Sequence, residues 1–460
     1  MEAIDYRLQF TVYSLQFSVY SFQFEVFSLR FEVSGITFKD LFGCIMSKAI
    51  IIGGGIIGLS CAYYLNDAGW EVEVLDKGDF QDNCSYGNAG YISPSHFIPL
   101  ATPGIVKQAF KWMLDSTSPF YVKPRLNWPL MQWGWQFMRV ATEKHVSESA
   151  VPLRDLGLLS MNLYESWKQR PEFDFFYEHK GIVELFQTDE KAHHAEHTWK
   201  AAKELGLDAE LLDKKGAEAL EPATEMNVLG GLHFRCDAHC YPNDLMKNLL
   251  AYLQRKNVRL TANQQVKGFE KTNSRISKVV TDNMEYDADL VVVATGAWSR
   301  ELASMLDATI PLMPGRGYSV TMTDARLKLN FPSILMEGRV ALTPMNGRLR
   351  LGGTMEITPI NTPPRMNRVK GILHAVKQFF PAFDEPMPSS DSVWYGYRPC
   401  SADGLPYIGR LKKYNNVIIA TGHAMVGLSF GAGTGKLVTE LAEGKQTSMD
   451  ISHFTPERFS

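Results

Sequence analysis

The chain has 460 residues, 45% hydrophobic and 21% charged, with a formal net charge of −3 and six cysteines. That length exceeds one ordinary core and suits two intertwined domains. The near-neutral charge gives no footprint for nucleic acid. No apolar run reaches the ~20 residues that cross a bilayer. Cysteines scattered at 44, 61, 84, 236, 240 and 400 fit reduced thiols in a cytoplasmic enzyme rather than a disulfide framework.

Residues 6–33 repeat every seven positions as YRLQFTV, YSLQFSV, YSFQFEV and FSLRFEV. Each copy alternates apolar and polar residues like a strand, but an odd period turns the buried face over at every copy. Four apolar positions per heptad, many aromatic or β-branched, exclude a coiled-coil seam. The absence of a basic n-region excludes a signal peptide. Residues 1–45 are therefore expected to lie outside the fold, with Met46 as the expected start.

Lys48 to Ile52 has the composition of a buried parallel strand. Gly53-Gly54-Gly55-Ile56-Ile57-Gly58 follows as a G-x-G-x-x-G, then a helical stretch closed by Gly69 and a second strand ending at Asp76. In such a unit Gly53 permits the tight turn and Gly55 lets a pyrophosphate reach the backbone. Gly58 lets helix and strand pack closely. The helix N-terminus offers free amides and a positive dipole end to phosphates. Asp76 can accept from ribose hydroxyls and repels a 2′-phosphate. The pattern predicts a dinucleotide site without separating FAD from NAD.

Further along, Lys107 to Val140 carries Trp112, Trp128, Trp133 and Trp135 among basic residues. This suits either a helix lying on a membrane surface or an aromatic cover over a pocket or subunit contact. The stretch 189–205 reads as a charged, solvated helix; His193 and His197 share a face there, and no glutamate completes a metalloprotease motif. "HFRCDAHC", residues 233–240, gathers two histidines and two cysteines, yet no metal site is expected.

Two later segments, "DLVVVATGAWS" (289–299) and "NNVIIATGHAMVGLSFGAGTGKLVTELAEG" (415–444), repeat the strand-then-glycine design. With "CSYGNAGYISPS" (84–95), "PGRGYSVT" (314–321), "RLRLGGTMEI" (348–357) and "WYGYRPCSADGLPYIG" (394–409), they follow an ordered motif series. The chain resembles the FAD-dependent D-amino-acid oxidase superfamily from Met46 to the C-terminus, and within it the bacterial dehydrogenase branch. Cys84 and Gly87 depart from the usual Thr and Ala.

The resemblance implies an α/β fold: a Rossmann-type FAD-binding domain, like that of glutathione reductase, interleaved with an α+β substrate domain built on an antiparallel sheet. The expected FAD domain takes 46–95, 220–310 and 395–460; the substrate domain takes 96–219 and 311–394. The implied cofactor contacts are Gly53, Gly55, Ile56, Ile57 and Gly58, then Asp76 and Lys77, then Ser85, Asn88, Ala89 and Gly90. Val266 would meet the adenine through its backbone, followed by Thr295, Gly296 and Trp298. Gly427, Leu428, Ser429 and Gly431 would bring backbone up to the flavin ring. FAD is expected to be non-covalent, because Gly396 stands where sarcosine-oxidase relatives carry the flavin on a cysteine.

Three residues are expected to serve the substrate. Arg398 of the Arg-Pro signature would bind its carboxylate in a bidentate fork. The Tyr318 phenol would hydrogen-bond it, and His423 would contact flavin or substrate. Arg316 is expected to be structural, and one of Tyr395 and Tyr397 to line the pocket. The implied reaction is oxidative deamination of a D-amino acid to a 2-oxo acid and ammonia, by hydride transfer from Cα to flavin N5. A quinone or respiratory-chain carrier takes the electrons. The rival is a secondary-amine or imino-acid enzyme acting on D-proline, D-hydroxyproline, glycine or sarcosine. Neither demands a metal or an acid–base catalyst. Peripheral contact with the inner membrane is compatible with both.

Overall fold

The computed structural model describes residues 47–104 and 118–459, so the heptad repeat, Trp112 and the start of the tryptophan-rich segment lie outside the described residues. The strand Lys48–Ile52 pairs in parallel with Glu71–Leu75 on one side and Leu290–Val293 on the other. This six-stranded sheet runs in the order Arg259–Thr261, Glu71–Leu75, Lys48–Ile52, Leu290–Val293, Val417–Thr421, Tyr407–Arg410, the last strand antiparallel. Its central strands are apolar throughout because both faces are covered. Ala49 and Ile51 pack among helices, while Ile50 and Ile52 pack against Ile276, Val279 and Tyr286 of a three-stranded layer.

Helix α1 (Ile56–Asp67) leaves the glycine turn. Helix α2 (Trp128–Val140) starts at an Asn127 cap and leads into α3 (Glu143–Lys168). The charged stretch forms α4 (Asp189–Glu204), on which His193, His194 and His197 are exposed.

The second sheet has nine strands. Its long strands Leu312–Met322, Arg348–Ile357 and Val393–Ser401 are antiparallel neighbours. It continues through Val340–Met345, Ser333–Leu335, Ile182–Phe186, Gly230–Phe234 and Ala209–Asp213. One face carries Leu335, Leu342, Leu351 and Val320 against helix α5 (Met366–Phe379). Two expected domain boundaries shift. Gly230–Phe234 pairs with strands of this sheet on both sides, and Val393–Ser401 pairs along its whole length with Leu312–Met322. Both segments therefore belong to the large sheet, and the crossing to the small sheet comes after Ser401.

Candidate active site

A cavity of about 1380 Å³ is lined by residues of both sheets and by the loops at the carboxyl ends of the parallel strands. It begins at the glycine turn. Gly53 has φ +110°, and a Cβ at Gly58 would overlap the Gly53 carbonyl oxygen, so neither position tolerates a side chain. Gly55 differs: a Cβ there would find its nearest neighbour, Ser85 Oγ, 3.5 Å away. The glycine leaves a cradle open rather than relieving a clash. Helix α1 has no side-chain cap at Gly55; the Ile56 amide donates to Ser85 Oγ at 2.9 Å. A diphosphate fits this arrangement of helix N-terminus and open glycine backbone.

Asp76 accepts from the Gly54 and Gly78 amides at 2.6 and 2.7 Å. It thus ties the glycine turn to the end of the second strand, and each oxygen keeps a lone pair for a ribose hydroxyl. Lys77 Nζ lies 3.2 Å from the centroid of the Trp298 ring, closing this end of the cavity with a cation–π contact. Val266, Thr295 and Gly296 also line it. Gly58, Gly90 and Gly431 do not. Gly90, at φ +85°, is required by the turn and by the Cys240 carbonyl against it.

Gly431 corrects the expectation that the late glycines approach the ring. Helix α6 (Gly431–Ala442) does begin there. A Cβ at Gly431 would press on Tyr164 Oη at 2.6 Å, and one at Gly435 on the Ser60 carbonyl at 2.5 Å. Gly433 packs on Leu156. These glycines let α6 sink between α1 and α3. Gly427, Leu428 and Ser429, one turn earlier, are the residues that line the cavity.

The loop 85–90 crosses to the large sheet and is held there by Arg350. Its Nη1 donates to the Tyr86 and Asn88 carbonyls at 2.8 and 2.7 Å, Nη2 to Asn243, and Nε to Thr321. One guanidinium fork therefore sets the distance between cofactor loop and substrate sheet.

Arg398 lies over the backbone of Gly317, where a Cβ would overlap its Cζ and both terminal nitrogens. A β-bulge builds the rest of the seat. Arg316 pairs with Glu356 and Tyr318 with Gly353, so Thr354 and Met355 together oppose Gly317. Thr354 has φ +68°, costly for a β-branched residue, and its carbonyl accepts from Arg398 Nη1. Among the described residues no carboxylate lies within 4.0 Å of Arg398, and desolvation lowers its pKa. Arg350, also buried, is likewise without an acid but is saturated by carbonyl, amide and hydroxyl oxygens, and three further arginines are paired with acids. Glu356 takes Arg316 at 2.7 Å and Arg368 at 3.3 Å, and Asp403 of the signature takes Arg458 at 2.6 Å.

Tyr318 belongs to the Glu356 hub. Its hydroxyl donates to Glu356 Oε2 at 2.8 Å and accepts from the Arg365 amide at 2.8 Å. Its ring lines the cavity, and its phenol is tied to Glu356 and the Arg365 amide, which leaves the oxygen one lone pair. Tyr397 donates to the Ile360 carbonyl and Tyr395 is exposed; both line the cavity.

His423 is 2% exposed and lines the cavity. Its Nε2 bonds Thr434 Oγ1 at 2.9 Å, and its Nδ1 is buried without a partner. Burial pushes its pKa down to about 3, and that of His239 to about 4. Both are neutral when folded and titrate near 6.5 when unfolded, so their stabilisation is present above pH 6.5 and lost as pH falls towards 3 or 4. Each should cost about 2 kcal/mol by pH 5. Urea unfolding should show a smaller drop from pH 7 to pH 5 in His423→Asn than in the parent.

Helix α2 covers the cavity. Leu130, Trp133, Gly134 and Phe137 line it, and Trp133 Nε1 donates to the Cys400 carbonyl at 3.0 Å. Trp128 and Trp135 face solvent. The buried Cys400 is not in the lining, and burial raises its thiol to about 12. No cluster of three or more candidate metal ligands occurs among the described residues.

The chain is 30% identical to a D-amino acid dehydrogenase of Helicobacter pylori over 412 residues, 89% of this chain and 98% of the relative. It is 28% identical to one of Granulibacter bethesdensis, over 90% and 100%. Among solved structures, glycine oxidase from Geobacillus kaustophilus matches with TM-score 0.72 at 22% identity, covering 90% of this chain and 99% of that one. L-proline dehydrogenase from P. horikoshii matches at 0.69 and 20%, over 90% and 98%. The cradle at Gly55, the acid at Asp76 and the cavity leading to Arg398 fit FAD. With the family pattern matched across residues 48–441, the chain belongs to DAO, the FAD dependent oxidoreductase family.

Proposed function

We propose that this enzyme oxidises the C–N bond of a D-amino acid, giving a 2-oxo acid and ammonia. A quinone or another respiratory carrier would be the final electron acceptor. One observation carries this reading: Arg398 faces the cavity with no carboxylate in reach among the described residues. A substrate carboxylate supplies the missing partner. The relatives named D-amino acid dehydrogenase support the substrate class.

FAD, when bound, supplies the two-electron acceptor. The chain's own residues bind, orient and dry the substrate. Arg398 fixes the carboxylate end, Gly317 and the Thr354 carbonyl fix Arg398, and Trp133 and Phe137 of α2 exclude water. His423, neutral at physiological pH, offers its unpartnered Nδ1 as a hydrogen-bonding atom rather than as an acid. The test is anaerobic bleaching of the yellow holoenzyme by D- and L-amino acids, glycine, sarcosine, D-proline and D-hydroxyproline. D-amino acids should bleach it fastest. Preference for the cyclic or N-methyl amines would favour the imino-acid alternative.

The outer face of α2 supports peripheral membrane contact. Trp128, Met131, Trp135 and Met138 form one exposed stripe, and Arg139 lies in the last turn. No described helix is long and apolar enough to cross a membrane. Sedimentation with anionic vesicles should fall about tenfold in the Trp128→Ala, Trp135→Ala double variant, with flavin content unchanged.

A further inference from the structure

The two departures from the usual loop, Cys84 and Gly87, both lie against the strand Val393–Ser401. Cys84 Sγ accepts from the Tyr397 amide and donates to the Tyr397 carbonyl, each at 3.1 Å. Gly87 lies against Trp394. A Cβ at Gly87 would overlap the middle of the indole, at Cδ2, Cε2 and Cε3. One at Gly396 would overlap its outer edge, at Cη2 and Cζ2. Two glycines, one on the loop and one on the strand, therefore clear room for a single indole. An alanine at 87 would strike it.

The polar end of the indole is held as well. Its Nε1 donates to Asp82 Oδ1 at 3.3 Å. Asp82 is next to Asn83, whose Nδ2 donates to the Gly54 carbonyl at 3.3 Å. Asp82, Cys84, Gly87, Trp394 and Gly396 all line the cavity. Trp394, Gly396 and Arg398 alternate along one strand and so share a face. Gly396 pairs with Gly317 on the neighbouring strand. The outer edge of the indole lies at Gly396 and the Arg398 guanidinium at Gly317, so the two groups are neighbours over paired residues about 5 Å apart. The loop that starts beside the Gly55 cradle thus meets an aromatic ring next to the substrate anchor.

We propose that Trp394 is a flavin-contacting residue. Its indole packs against the ring of bound FAD. Because that contact lies beside the Gly317–Gly396 pair, it also sets the flavin next to the carboxylate held by Arg398. An aromatic pair adds to plain apolar burial. Indole is also a ready electron donor to an excited flavin, so contact between them quenches flavin fluorescence.

The experiment measures fluorescence per bound flavin and the FAD Kd in the parent, Trp394→Phe and Trp394→Leu. The parent flavin should be dim. Fluorescence should rise several-fold in both variants, because neither new side chain donates that electron. The Kd should rise about three- to tenfold in Trp394→Leu and stay near the parent value in Trp394→Phe, which keeps a ring. Equal fluorescence in the parent and in flavin-replete Trp394→Phe overturns the proposal, and so does an unchanged Kd in Trp394→Leu. An indole that only plugs the loop to the strand would leave the fluorescence unchanged. Neither readout needs a substrate, so both stand whichever amine the enzyme oxidises.

Discussion

Arg398→Ala should lower kcat/KM for a D-amino acid by about 10²- to 10³-fold while the protein stays folded and yellow. The magnitude follows from removing one partner of a desolvated charge pair, at about 2–5 kcal/mol. The fold should survive because Arg398 carries no structural ion pair. Its one protein acceptor is the Thr354 carbonyl, whereas Arg316, Arg368 and Arg458 are each locked to a buried acid. Arg398→Lys should recover part of the loss, since an ammonium keeps the charge but not the fork. Steady-state kinetics with flavin content measured on the same samples checks this. Loss of flavin in Arg398→Ala would mean that the residue holds the cofactor site together instead.

The second large effect is expected from a residue that touches no substrate. Gly317→Ala places a methyl where the Arg398 guanidinium lies. Gly317 pairs with Gly396 on the neighbouring strand, and a Cβ at Gly396 would itself meet Trp394, so the backbone has little room to yield. The guanidinium must move off its seat, and a displacement of about 1 Å in an orienting group costs on the order of 10²-fold. The loss should appear chiefly in KM and in discrimination between D-alanine and its carboxamide, with thermal stability changed little. Normal kinetics in Gly317→Ala would show that Arg398 is free to choose another rotamer and that the seat is not what aims it.

Much of this site was readable before any coordinates because its parts are local. The G-x-G-x-x-G turn, Asp76 and the strand between them lie within one short stretch, and each glycine has its own steric duty. Arg398 could be named from the Arg-Pro signature. The seat beneath it could not. The bulge that sets Thr354 and Met355 opposite Gly317 is a register event between two strands, and nothing in "RLRLGGTMEI" marks a threonine for positive φ. Arg350 was one more polar residue in a strand until its partners, Tyr86 and Asn88, arrived from more than 260 positions away. The tie between Tyr318 and Glu356 was not legible either, because Glu356 read only as a strand residue.

The glycines at 431, 433 and 435 show a different limit. A backbone cleared for a planar ring and one cleared for a neighbouring helix use the same residue. Only Tyr164, Ser60 and Leu156 reveal which applies here. The tryptophan segment divides between two faces of α2, Trp133 inward over the cavity and Trp128 and Trp135 outward, a division set by packing rather than by composition. The domain boundaries moved for a related reason. Gly230–Phe234 and Val393–Ser401 choose their sheet by long-range pairing that their own composition does not specify.

The most direct measurement compares D-alanine with D-alaninamide as anaerobic reductants of the bound flavin. The two share an amine, a Cα–H and a side chain, and differ in the charge presented to Arg398. The account predicts bleaching by the carboxamide at least about 10²-fold less efficient. Equal efficiency would contradict it, for then no guanidinium–carboxylate contact orients the substrate.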